Sequence, residues 1–148
     1  MTWIYPTRGR PAACEALLAS MVAHGMQAPG LLMLSANDPL RAQYEALRLP
    51  AGWERCVVQM DGVDTAEKLR LAFGYRPNEP WYGWIADDNT VQTDGFERRL
   101  VAAAGSWGMA SANDLWQANA DPDKSRCHGA TVFGGAVHRP ATLGQFQG

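Results

Sequence analysis

Short apolar runs alternate with longer segments of helical periodicity along the first hundred residues. The apolar runs predict strands at 2–5, 31–34, 53–60 and 81–86. The segments between and after them carry apolar residues at helical spacing and predict helices at 12–24, 39–47, 65–75 and about 94–104. Such alternation of strand and helix predicts an α/β fold, in which a mostly parallel sheet is covered by helices on both faces.

The last third of the chain is less regular. Residues 107–112 predict a short strand, and the polar stretch 113–126 predicts a surface loop. Residues 127–138 alternate small and apolar side chains around Gly134 and Gly135, which predicts a strand with a bend or bulge. The length of 148 residues suits one domain with a core of its own, so we expect a single domain over 1–148.

Polar side chains follow each predicted strand directly. They are Thr7, Arg8 and Arg10 after the first, Asn37 and Asp38 after the second, Asp61 after the third, and Asp87 and Asp88 after the fourth. In a parallel sheet these positions gather at the carboxyl edge, where ligands bind. Arginines and helix N-termini at that edge suit phosphate. Adjacent carboxylates repel each other unless a cation lies between them, and their oxygens suit Mg²⁺ or Mn²⁺.

Each of these side chains also has a simpler interpretation. Asp38 precedes Pro39, which is a common way to begin a helix. The Asp and Asn side chains at 87–89 could likewise form a solvated turn that caps the helix after them. The basic residues could be solvated, and Lys68 could face water on its helix. These interpretations stay open on the residues alone.

Composition and charge exclude several classes of protein. Hydrophobic residues make up 47% and charged residues 19% of the chain, which is typical of a globular domain. The formal charge of -2 gives no basic field for nucleic acid, and no apolar run approaches the length of a membrane span. Three cysteines without Cys-x-x-Cys spacing and an N-terminus without a signal-peptide pattern lead us to expect reduced thiols and a cytoplasmic protein.

Three segments resemble the GT-A glycosyltransferases, specifically the metal-dependent, family-2-like kind that binds nucleotide sugars. They are the opening WIYPTRGRP at 3–11, the acidic IADDNT at 85–90, and the late VFGGAVHR at 132–139, followed by LGQF at 143–146. The second segment is similar to the family's D-x-D motif in an x-D-D form. The resemblance covers nearly the whole chain and implies a three-layer α/β/α sandwich with a mostly parallel, Rossmann-like sheet of the nucleotide-diphospho-sugar transferase type.

The resemblance also implies a function and a set of site residues. The chain would transfer a sugar from a nucleotide-diphosphate donor, UDP-linked by preference, to an unknown acceptor. Asp88 would ligate Mn²⁺ or Mg²⁺ at the diphosphate, and Asp87 would bind the ribose or complete the metal shell. Asp38, with Asn37 as a substitute, matches the acid that contacts the base. The other implied donor-binding residues are Thr7, Arg8, Arg10, Asp61 and Lys68.

The chain departs from the family on the acceptor side. Residues 1–104 match the donor-binding half, whereas 105–148 form an abbreviated acceptor part in which no catalytic base is identified. Two other hypotheses therefore stay open. One is a non-catalytic nucleotide-sugar-binding remnant or subunit, and a homodimer could cover its open side. The other is a sugar-phosphate nucleotidyltransferase. Residues 7–11 resemble the first loop of that family, but the glycine-rich segment expected before the arginine is missing.

Overall fold

A computed structural model of the chain describes residues 1–59, 65–87, 89–105, 108–111 and 130–134. The strands within these ranges are β1 Thr2–Thr7, β2 Gly30–Ser35, β3 Trp53–Val58, β4 Trp81–Trp84, β5 Met109–Ser111 and β6 Thr131–Gly134. The helices are α1 Pro11–Ala23, α2 Arg41–Ala46, α3 Thr65–Tyr75 and α4 Phe96–Ala104. No helix in the described ranges has the length and apolar character needed to cross a membrane.

The six strands form one sheet in the order β3-β2-β1-β4-β6-β5. β1 pairs in parallel with β2 and with β4, and β2 pairs in parallel with β3. β6 runs antiparallel to β4 and to β5. β2 and β3 thus lie on one side of β1, and β4 lies on its other side. The strand order therefore reverses between β1 and β4, and ligands of open α/β sheets bind at the carboxyl ends of the strands beside such a reversal.

Helices cover both faces of the sheet and divide the core in two. One cluster packs side chains of α1, α2 and α4 against Trp3, Tyr5 and Leu32. The second packs side chains of α3 against Ile4 and Leu31. Alternate residues of β1 and β2 enter opposite clusters because strand side chains point to the two faces in turn. All six residues of β2 are buried, as expected for a central parallel strand between two helical layers.

The large ring of Trp3 lies across the sheet at a position where β4 has no side chain. A Cβ atom added to Gly83 would lie 2.4 Å from the Trp3 ring, which no real side chain could tolerate. Gly83 is therefore required by close packing rather than by a turn.

The predicted elements are present, but several begin or end elsewhere. β1 continues through Pro6 to Thr7, because at that position β1 pairs with β2 but not with β4, so the missing N–H is tolerated. α2 begins at Arg41 rather than near Pro39, because Asp38 forms a turn before it. α4 begins at Phe96, and Gly95 in the left-handed conformation precedes it.

The short strands β5 and β6 lie inside the predicted 107–112 and 127–138 segments. The predicted surface loop at 113–126 lies outside the described residues.

Candidate functional site

Loops after β1, β2 and β4 converge at the carboxyl edge of the sheet, and α3 closes this edge from one face. We call the polar side chains that meet here the edge cluster. Its members are Thr7, Arg10, Asp38, Tyr44, Lys68 and Asp87. Four stretches of the chain that are far apart in sequence, at 7–10, 38–44, 68 and 87, therefore contribute to one site at the reversal of strand order.

Asp87 joins the loop after β4 to the end of β1. Its Oδ2 atom accepts a hydrogen bond from Thr7 Oγ1 at 3.3 Å, and its Oδ1 atom lies 3.2 Å from Arg10 Nη1. The Asp87 side chain is 15% exposed, whereas that of Arg10 is 60% exposed. An ion pair this open to solvent contributes at most about 1 kcal/mol to stability. Most of the Arg10 guanidinium therefore remains available to a ligand.

Asp38 ties the first and second loops together. Its Oδ2 atom accepts the Gly9 N–H at 2.8 Å, and its Oδ1 atom accepts the Leu40 N–H at 2.8 Å. The residue is only 6% exposed. The second bond resembles the predicted cap, but it closes the turn before α2 rather than the helix itself. A role in contacting the base stays a prediction.

Lys68 is buried beneath the first loop, so the alternative that it faces water is wrong. It is 1% exposed, and its Nζ atom donates to the Thr7 carbonyl oxygen at 2.8 Å. Burial lowers the pKa of Lys68, and the nearby Arg8 charge lowers it further, while Asp38 acts in the opposite direction. Arg8 is half-buried, and its Nη1 atom has no hydrogen-bond partner among the described residues.

The burial of Lys68 predicts a pH-dependent contribution to stability. Its pKa in the folded protein is lowered from the ordinary 10.5, so the unfolded chain binds more protons between the two values. Stability from this group is therefore complete above about 10.5 and is lost as pH falls through the folded pKa. Lys68→Met removes the group. Urea unfolding should show the difference in unfolding free energy, wild type minus variant, increasing from pH 7 to pH 10; a constant difference would contradict the assignment.

Tyr44 was not predicted as a site residue. Its hydroxyl lies 2.9 Å from Thr7 Oγ1 and accepts the Arg10 N–H at 2.7 Å. The residue is fully buried on α2, and Arg55 Nε donates to its carbonyl oxygen at 3.0 Å. The only signal in the sequence was an aromatic residue with a polar tip inside a predicted helix.

Three further predicted residues are Asn37, Asp61 and Asp88. Asn37 is exposed in the loop between β2 and Asp38. Asp61 and Asp88 lie outside the described residues. Within the described part of the chain, no group of three or more His, Cys, Asp and Glu side chains is placed to hold a metal ion. The predicted Asp87–Asp88 metal site thus stays a prediction.

No protein-family model matches the chain, and no curated protein matches it in sequence. Among solved structures, it is similar to that of a proposed nucleotide-diphospho-sugar transferase from Desulfovibrio desulfuricans G20. The two chains are 9% identical and superpose with a TM-score of 0.60 over 99% of this chain and 68% of the other. At this identity the likeness concerns the fold. It confirms the predicted α/β/α architecture with a mostly parallel, Rossmann-like sheet.

Proposed function

We propose that this protein is a glycosyltransferase that binds a nucleotide-diphosphate sugar at the edge cluster and transfers the sugar to an acceptor. The observation that carries the proposal is the direct contact of Asp87 with Thr7 and Arg10 at the reversal of strand order. There the exposed guanidinium would meet the diphosphate, and the carboxylate would meet the ribose or a metal ion. The similarity in fold to a proposed nucleotide-diphospho-sugar transferase supports the same function.

Two cationic features of the edge support diphosphate binding. The Arg10 guanidinium is mostly exposed, and it forms a planar fork of donors that suits phosphate oxygens. Helix α1 begins at Pro11, and among the described residues no side-chain hydrogen bond caps its first turn. The free backbone N–H groups and the positive end of the helix dipole favour an anion at this position.

The acidic pair suits a divalent cation. Each carboxylate oxygen of Asp87 has one described donor, so each retains acceptor capacity, and Asp88 would add a second carboxylate. Hard oxygen ligands of this kind fit Mn²⁺ or Mg²⁺. We propose that Asp88, with Asp87, holds the ion. When bound, the ion would stabilise the negative charge that develops on the departing nucleoside diphosphate.

The base would lie toward the loop after β2. Both oxygens of Asp38 already accept a backbone N–H, so its main effect is to shape the first loop. The exposed Asn37 is therefore better placed than Asp38 to bond the base, and Lys68 and Arg8 add positive charge nearby. In this proposal residues 1–104 form the donor half, with Asp61 near the base, and 105–148 the acceptor part.

Removal of the metal is expected to weaken nucleotide binding at least about 100-fold, which corresponds to about 2.7 kcal/mol. The measurement is calorimetric titration with UDP, GDP and their sugar conjugates, first with Mn²⁺ and then with EDTA. Equal affinity in EDTA would contradict the metal site, and no binding of any nucleotide would contradict the function.

Turnover assays separate the alternatives. Sustained release of UDP from a UDP-sugar is expected of a transferase. Binding without release would instead support a non-catalytic subunit. Reaction of a nucleoside triphosphate with a sugar phosphate would support a nucleotidyltransferase.

A further inference from the structure

We infer that Tyr44 is a positioning residue that fixes the orientation of Asp87 without touching the ligand. Its hydroxyl receives the Arg10 N–H at 2.7 Å and lies 2.9 Å from Thr7 Oγ1, which in turn bonds Asp87. The Arg10 guanidinium contacts the same carboxylate and closes a ring of four residues. The role in ligand binding rests on the proposed function, whereas the ring itself does not.

Counting protons fixes the direction of every bond in the ring. A backbone N–H can only donate, so Tyr44 Oη accepts from Arg10. A carboxylate can only accept, so the single proton of the Thr7 hydroxyl goes to Asp87. Thr7 Oγ1 must then accept from Tyr44, whose own proton has no other described acceptor. The sequence of donation therefore runs from Arg10 through Tyr44 and Thr7 to Asp87.

Burial shows which link holds the carboxylate. Tyr44 and Thr7 are buried, so their hydroxyls have no water to replace a lost partner. The Arg10 contact with Asp87 is largely open to solvent and correspondingly weak. Burial also raises the pKa of Tyr44, so its hydroxyl keeps its proton and remains a donor at neutral pH. The hydroxyl path, rather than the ion pair, sets the position of Asp87.

Tyr44 also holds the first loop in place. Its hydroxyl accepts a hydrogen bond from the backbone N–H of Arg10, which directly precedes α1. The guanidinium of the same arginine would bind the diphosphate. One buried hydroxyl therefore orients both the carboxylate and the backbone that carries the cation. Such pre-organisation raises affinity by lowering the ordering cost of binding.

Tyr44→Phe tests the ring directly by hydrogen exchange of the Arg10 amide, with no ligand present. The protection factor of this amide should fall at least about tenfold, because its acceptor is gone. Tyr82→Phe is the matched control: Tyr82 is also buried, but its hydroxyl donates to the Arg76 carbonyl oxygen, outside the ring. It should leave Arg10 protection unchanged. Unchanged protection in Tyr44→Phe would overturn the ring.

The functional consequence is tested by titration of UDP with Mn²⁺. Tyr44→Phe should raise the Kd about tenfold, whereas Tyr82→Phe should not change it. Because both hydroxyls act on the same carboxylate, Tyr44→Phe combined with Thr7→Val should raise the Kd clearly less than the product of the two single effects. A purely structural role for Tyr44 would lower stability but leave the Kd unchanged below the unfolding transition, and that result would overturn the inference.

The inference about Tyr44 and the proposed function can each be contradicted without the other. If the wild type binds no nucleotide while Arg10 protection still depends on Tyr44, the ring stands and the proposed function is wrong. If nucleotide binds with Mn²⁺ but Tyr44→Phe leaves both the exchange and the Kd unchanged, the function stands and the inference is wrong.

Discussion

Replacing Asp87 with alanine is expected to raise the Kd for UDP in the presence of Mn²⁺ at least about 100-fold, about 2.7 kcal/mol in binding free energy. The change removes a carboxylate that would contact the ribose or the metal. It also leaves the buried Thr7 hydroxyl without its acceptor and frees the Arg10 guanidinium. Because the Arg10 pair is exposed, the larger part of the effect comes from the lost ligand contacts. Calorimetric titration at matched Mn²⁺ concentration gives the value.

Asp94→Ala is the matched control for this substitution. The Asp94 side chain is 90% exposed and bonds His24 at the other end of α1, so its loss should leave the Kd unchanged. Asp88→Ala should abolish metal-dependent nucleotide binding, as the resemblance to the D-x-D motif implies. Wild-type affinity for UDP and Mn²⁺ in both Asp87→Ala and Asp88→Ala would mean that the site lies elsewhere.

Glu97→Ala is expected to lower the free energy of unfolding by about 3–4 kcal/mol, because several donors lose one charged acceptor. The Glu97 carboxylate accepts the Trp3 indole N–H at 2.6 Å and the backbone N–H groups of Gln27 and Ala28 at 2.8 and 3.2 Å. Trp3 is fully buried, so its N–H would be left without a partner in the core. Urea denaturation at neutral pH measures the loss.

Two further variants make the test of Glu97 specific. Glu97→Gln keeps one acceptor oxygen and should lose less stability than Glu97→Ala. Glu45→Ala removes a carboxylate that pairs with Arg41 on the surface of α2 and should cost less than about 1 kcal/mol. A loss below about 1 kcal/mol in Glu97→Ala would show that the carboxylate does not anchor Trp3 and the 27–28 segment.

Much of the fold could be predicted because it depends on local patterns. The apolar run that became β2 is buried along its whole length, and the helical spacing at Thr65–Tyr75 gave both ends of α3. Thr7, Asp38 and Asp87 were predicted at one edge because each follows a strand, and parallel strands end on the same side. Predicting that they lie close together required only the periodicity of the strands and the alternation of strands with helices.

Other features depend on contacts that no local pattern specifies. On the sequence alone Lys68 could face water on its helix, yet it is buried because α3 packs beneath the end of β1, 61 residues away in sequence. The helix predicted from about residue 94 begins at Phe96 instead, and the Asp94 side chain bonds His24.

The sequence by itself thus determined the elements, their layering, and the position of Thr7, Asp38 and Asp87 at the carboxyl edge, since these follow from periodicity within short segments. Only the tertiary structure decided which of those residues bond one another. Tyr44 reaches Thr7 across 37 residues and Glu97 reaches Trp3 across 94. Such pairs form because strand order brings distant segments together, and burial then requires each N–H and hydroxyl to find a partner.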